Sequence, residues 1–200
     1  MITRIFCLLT TTFCLLNSVY ALKPMDDEFL IHYGNPQAPL KVIEYFSFSC
    51  PHCVTVFKDF PKIKEEFIDQ DLIYFTFQPM PKDLTTVRAL HCLSLLNTQE
   101  KQIFLEALFE FLEKNQEDSD RICHVMQDFL SCFSKQTLAL DNKTYLKESP
   151  IMQKAFDYIS QKDQIKALPA TEINGFLFAA EVPSYAFFKQ AVRHVNGEKK

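Results

Sequence analysis

Glycine is scarce in this chain, with 3 residues in 200, which excludes collagen-like and glycine-rich low-complexity architectures. Basic residues do not cluster, and the formal net charge is -4. Nothing in the sequence therefore calls for DNA, RNA or an anionic membrane surface. Beyond the first 21 residues no apolar stretch is long enough to span a bilayer. There is no internal repeat and no second Cys-x-x-Cys. What is present is material for a core: 48% of residues are hydrophobic and 20 are Phe. That suits one domain, or one domain carrying an insertion.

The N-terminus reads differently from the rest. Met1 to Ala21 carries one charge, Arg4, then the apolar runs Ile5 to Leu9 and Phe13 to Leu16, and it ends in Val19-Tyr20-Ala21. This predicts a secretory signal peptide cut after Ala21. An uncleaved anchor is the alternative, disfavoured by the short apolar segment, and a lipoprotein site at Cys14 is weaker because bulky Phe13 precedes it. Removing the signal takes Cys7 and Cys14 with it and leaves Cys50, Cys53, Cys92, Cys123 and Cys132. An exported compartment permits disulfides. The odd number leaves at least one thiol unpaired, shared between molecules or transient.

The most informative stretch is Lys41 to Cys53, K-V-I-E-Y-F-S-F-S-C-P-H-C. Val42 to Phe48 is β-branched and aromatic, as a buried strand requires, and it runs directly into two cysteines separated by two residues. Pro51 suits a first helical position, because it has no N–H to leave unpaired there. Val54, Phe57, Phe60, Ile63 and Phe67 follow at helical spacing. Cys50 is thereby placed at a helix N-terminus, where free N–H groups and the dipole stabilise a thiolate. Cys53 lies one turn inward, as its covered partner.

The pattern around this centre predicts an interrupted α/β protein. Phe29 to Ile31 is a short strand or helical turn, and Gly34 to Pro39 is a turn. Leu72 to Phe77 is a second strand, giving a βαβ unit with parallel strands. From Leu84 to Ser160 the period is helical, with helices around Val87 to Leu96, Ile103 to Leu112, Ile122 to Phe133 and Thr144 to Ile159. Strands then resume from Leu168 to Ile173 and Phe176 to Ala180, joined by the hairpin signal Asn174-Gly175. An amphipathic helix from Pro183 to Val195 closes the chain. The dithiol follows the C-terminal end of a strand, where open α/β sheets keep their chemistry.

In order and spacing, C-P-H-C, the preceding E-Y-F-S-F, the proline at Pro169 and the N-G hairpin resemble the DsbA family of thiol:disulfide oxidoreductases. These are thioredoxin-like folds with an inserted all-helical domain. The likeness covers nearly all of the chain after the signal. It implies a thioredoxin-like domain over 22–80 and 162–200, and a helical insertion over 81–161. It implies Cys50 as nucleophile, Cys53 as resolving partner, Pro51 and His52 as the dipeptide that tunes the pair, and Pro169 as a cis-proline facing them. Glu44 matches the family's buried acid, and Leu168, Ala170 and Thr171 fall where substrate lies. The pair Cys92 and Cys132 is similar to the second disulfide of the α-proteobacterial-type branch. The chain departs from the family at Leu168, where Thr or Val is usual, and at Ala170-Thr171-Glu172, which leaves substrate preference open.

The likeness implies periplasmic transfer of the Cys50–Cys53 disulfide to reduced exported proteins, with reoxidation by a membrane quinone-linked partner. It implies a monomer with no cofactor, no metal and no nucleic-acid partner. A site of this kind is expected near about -120 mV, against about -270 mV for a thioredoxin. A reductase or isomerase kept reduced is the first alternative, although some twenty residues before the first main strand leave no room for a dimerisation domain. A non-catalytic peptide-binding chaperone is the second. At the residue level further alternatives stay open. Cys50 and Cys53 are half of a common zinc pattern, with His91-Cys92 and Cys123-His124 elsewhere in the chain. Glu44 could instead solvate a sheet edge. Cys92 could pair with Cys123, or all three outer cysteines could be buried thiols acting as small hydrophobes. His32, His91, His124 and His194 read as surface or packing residues.

Overall fold

The computed structural model describes residues 27–115, 119–134, 138–142, 146, 148–160, 164–179, 184–195 and 197. The predicted signal peptide, Met1 to Ala21, lies outside them. The chain opens with a 3-10 turn, Asp27–Phe29, and a short strand β1, Ile31–Tyr33. Gly34 makes the turn that follows, with φ +84, and a Cβ there would stand 2.7 Å from Ile68 and 2.8 Å from the Ile73 carbonyl. β2, Leu40–Phe46, leads into α1, Pro51–Ile63, and β3, Ile73–Pro79, returns parallel to β2. Pro61 removes one rung near the end of α1, and the helix opens there into a π turn, Lys64–Ile68.

Four helices lie between β3 and β4 among the described residues: α2, Leu84–Leu93; α3, Thr98–Lys114; α4, Ser119–Phe133; and α5, Pro150–Ser160. The first two begin on side-chain caps, Asp83 for α2 and a capping box of Asn97 with Glu100 for α3. α5, Pro150–Ser160, falls on the expected Thr144 to Ile159 helix, and Leu146 and Glu148 ahead of it are also helical. Residues 143–145 and 147 lie outside the described part. β4, Ala170–Ile173, and β5, Phe176–Ala179, form the expected hairpin, with Asn174 and Gly175 both at positive φ. α6, Tyr185–Val195, is the last described element.

The sheet order is β1-β3-β2-β4-β5, with β2 and β3 parallel and the remaining pairs antiparallel. β2 is central, so its C-terminal end delivers the dithiol to the middle of the sheet's edge. One face of the sheet carries Val42, Glu44 and Phe46 beside Phe75 and Phe77, and α1 covers it through Phe57 and Phe60. The inserted helices share this core. Phe109 of α3 stacks on Phe57 at 4.4 Å and packs against Phe46 and Phe48. The abundance of Phe therefore builds one aromatic layer that joins sheet, active-site helix and insertion.

Candidate active site

Cys50 caps α1. Its sulfur accepts the Cys53 backbone N–H at 3.3 Å, and Pro51 occupies the first turn. Cys50 is part-exposed while Cys53 is buried at 2% exposure, and both are free thiols. The two sulfurs are electrostatically opposite. A hydrogen bond from the Cys53 thiol, backbone N–H donors of Cys53 and His52, and the charge of His52 together hold the Cys50 thiol down at about 6, against the opposing effect of burial. Donating that bond, together with burial, pushes the Cys53 thiol strongly up. One sulfur is thus poised as a thiolate and the other as a thiol. His52 is exposed at the first turn.

Across from the dithiol, the Leu168–Pro169 peptide bond is cis, and the Leu168 carbonyl oxygen lies 3.6 Å from the Cys50 sulfur. Pro169 is buried and Leu168 half-buried. Ala170 and Thr171 are placed differently from a substrate-lining role. Both are fully buried, and their backbones pair with β2 on one side and β5 on the other, so no free edge remains for an incoming strand. Thr171 sits directly opposite Glu44 and donates its hydroxyl to the carboxyl at 2.6 Å. Glu172 points to the opposite face of the sheet, where its carboxylate accepts from the Tyr45 hydroxyl at 2.8 Å.

Glu44 is buried in the sheet rather than solvated at an edge, with 1% exposure. Burial raises its pKa to about 8, opposed by the Thr171 bond and reinforced by the charge of Cys50. Its second oxygen, Oε1, has no hydrogen-bond partner. Glu44 is also an electrostatic neighbour of Cys53.

The outer cysteines are not arranged as the pair Cys92 and Cys132. Cys92 on α2 is fully buried, and its charge neighbour is Cys123 on α4. Cys132 is exposed at the far end of that helix, about nine residues and roughly 13 Å along the axis from Cys123. Cys92, in the last turn of α2, and Cys123, in the first half of α4, are thus neighbours, and Cys132 is not part of that contact. No three His, Cys, Asp or Glu side chains among the described residues group as a metal site would need.

A further set of residues, missed in the sequence, surrounds the approach to Cys50. Ser47, Ser49 and Thr86 all bond to the carboxylate of Asp83. The partners are 34 to 36 residues apart for the two serines, so no local pattern announces them. An apolar cleft of about 1340 Å³ opens elsewhere, between β5 and α6, lined by Phe176, Phe178, Phe187 and Val195. It contains neither catalytic cysteine candidate, so the sulfurs and not the cavity locate the chemistry.

A strand-delivered, helix-capping dithiol facing a cis-proline, on a five-stranded mixed sheet, defines a thiol–disulfide oxidoreductase. The chain belongs to the thioredoxin family, whose model matches residues 27–192. It is 26% identical over 172 residues to a probable disulfide bond formation protein D of Bacillus cereus, covering 80% of this chain and 75% of that one. Among solved structures it superposes on alpha-DsbA1 of Wolbachia pipientis with a TM-score of 0.68, 24% identity and coverage of 90% and 96% of the two chains. Oxidised BdbD of Bacillus subtilis matches with a TM-score of 0.62, 21% identity and coverage of 82% and 91%. These two structures establish the fold. No helix among the described residues is long and apolar enough to cross a membrane.

Proposed function

We propose that this chain is a periplasmic dithiol oxidase that donates its Cys50–Cys53 disulfide to reduced exported proteins. The observation that carries the reading is the split between the sulfurs, with Cys50 near 6 and Cys53 far above the usual thiol range. A stabilised Cys50 thiolate favours the reduced enzyme and so makes the disulfide a strong oxidant. Cys50 is the nucleophile and the sulfur that substrate attacks, because it is the accessible one. A substrate thiolate bonds to Cys50, the Cys50–Cys53 bond breaks, and the electron pair leaves on Cys53. Glu44, protonated near neutral pH and adjacent to Cys53, supplies the proton that this thiolate takes up. A second substrate thiolate then attacks the substrate sulfur and releases Cys50 as a thiolate, completing a two-electron oxidation of the substrate.

Pro51 fixes the start of the helix and His52 adds positive charge beside the thiolate. Pro169 has no N–H to compete for the sulfur, and Leu168 is left as the backbone that meets substrate. A membrane quinone-linked partner would restore the disulfide, and the enzyme would act as a monomer. Residues 22–80 and 162–200 form the thioredoxin-like part and 81–161 the insertion. The test is transfer of one disulfide from the purified oxidised protein to a reduced peptide containing two cysteines. Stoichiometric oxidation, with a Cys53→Ser variant trapped through Cys50 on the peptide, supports the reading. Peptide left reduced, or trapped through any other cysteine, overturns it.

A further inference from the structure

The loop between β2 and α1 is short and polar, yet it must hold both sulfurs in register. Ser47 and Ser49 are its polar members; Ser47 is buried and Ser49 exposed, and both hydroxyls are tied to Asp83. The Ser49 hydroxyl donates to Asp83 Oδ1 at 2.8 Å, and the Ser47 hydroxyl donates to Asp83 Oδ2. Asp83 receives two more bonds from its own helix: the Thr86 N–H at 2.8 Å, which makes it the cap of α2, and the Thr86 hydroxyl at 2.8 Å. Thr86 in turn bonds back to the loop, accepting the Phe48 N–H at 3.1 Å and lying 3.2 Å from the Ser47 hydroxyl. The Ser49 N–H closes the ring by donating to the Ser47 hydroxyl at 3.0 Å. The Asp83 carboxylate, with the Thr86 hydroxyl that it holds, therefore fixes every residue from Ser47 to Ser49.

What the loop presents to the sulfurs depends on that fixation. The Ser47 carbonyl accepts the Cys50 N–H at 3.2 Å, which sets the position of the helix cap. The Ser47 N–H is directed at the Cys53 sulfur, where it favours the thiolate against burial and the Cys50 bond. Cys53 is the leaving group when a substrate thiolate opens the disulfide at Cys50, so a donor aimed at it matters most as that bond breaks.

We propose that Asp83 is a positioning residue for disulfide exchange, clamping Ser47 and Ser49 so that the loop stays aligned with both sulfurs. The insertion then does more than cover the sheet: its first helix cap sets the speed at which the dithiol opens and closes. This rests on the Cys50–Cys53 exchange chemistry, although not on its direction in the cell.

The test uses the full chain and dithiothreitol as the probe. A dithiothreitol thiolate attacks Cys50, the Cys50–Cys53 bond breaks, and its second thiol then releases reduced Cys50 with formation of the cyclic disulfide. Asp83→Asn separates the two roles of the residue, because Asn caps a helix as well as Asp does. Asn has one acceptor oxygen and cannot receive both serine hydroxyls together with the Thr86 contacts. The expected result is an opening rate lowered by about five- to tenfold in Asp83→Asn and Asp83→Ala. The reduction potential should move less than the rate, since Cys53 is protonated once reduction is complete. Ser47→Ala should slow opening similarly, and combining it with Asp83→Ala should add little, as expected of one coupled unit. An Asp83→Asn protein that opens at the parent rate overturns the proposal, as does strict additivity of the Ser47 and Asp83 effects. Loss of the dithiothreitol reaction in the parent itself would instead overturn the exchange chemistry beneath it.

Discussion

Replacing Glu44 by Gln should make the oxidised protein more stable, and increasingly so as pH rises. Glu44 is buried, and its pKa is raised from 4.5 to about 8. Between these values the unfolded chain has released the proton that the folded chain still holds. Unfolding therefore becomes easier with each unit of pH, by about 1.4 kcal/mol. The favourable contribution of the neutral carboxyl is complete below about pH 4.5 and is lost as pH rises through about 8. Over that window the loss approaches about 5 kcal/mol as an upper limit, given that water penetration on ionisation and the absence of the Cys50 charge in the oxidised form both reduce it. The introduced amide matches the shape of the carboxyl, keeps an oxygen for the Thr171 hydroxyl and cannot ionise. Urea unfolding of the oxidised parent and the Glu44→Gln variant at pH 5, 6, 7, 8 and 9 measures the difference directly. The stability gap should widen from pH 5 to 8 and flatten above. The oxidised form is chosen because reduced Cys50 titrates in an overlapping range with the opposite sign. Parallel curves for parent and variant across that range would refute a raised Glu44 pKa.

Absorbance at 240 nm should show the reduced Cys50 thiolate titrating near pH 6, and the reduced form should lose stability relative to the oxidised form as pH falls through that value, because a depressed acid stabilises the fold only while ionised. Phe109→Ala removes the ring that stacks on Phe57 and joins the insertion to α1; chemical denaturation should report a loss of about 3–5 kcal/mol. A maleimide should label Cys132 in the native protein, whereas Cys92 and Cys123 should react only after unfolding, as mass spectrometry of labelled peptides would show.

Much of this architecture is legible in the sequence because it is written locally. Val42 to Phe48 is too apolar for anything but a buried strand, Pro51 marks a helix start, and Asn174-Gly175 marks a hairpin. Strand alternation alone argues for Glu44 in the core. The rest depends on register and distance. Whether Thr171 lines a groove or satisfies Glu44 is decided by its position opposite Glu44 in the β2–β4 pairing. The same pairing buries Ala170 and turns Glu172 toward Tyr45. For the outer cysteines the likeness to a disulfide pattern favours Cys92 with Cys132, whereas the crossing of α2 and α4 selects Cys123. Asp83 gives no signal, because an Asp before a helix reads as an ordinary cap, and its bonds to Ser47 and Ser49 exist only once the insertion is folded against the loop.

The central claim is that an asymmetric pair of sulfurs, Cys50 held as a thiolate and Cys53 as a thiol, makes this disulfide an oxidant. Equilibration of Cys50–Cys53 with a glutathione redox buffer measures that claim most directly. The account predicts a reduction potential near about -120 mV, and a value below about -200 mV would contradict it in favour of a reducing role.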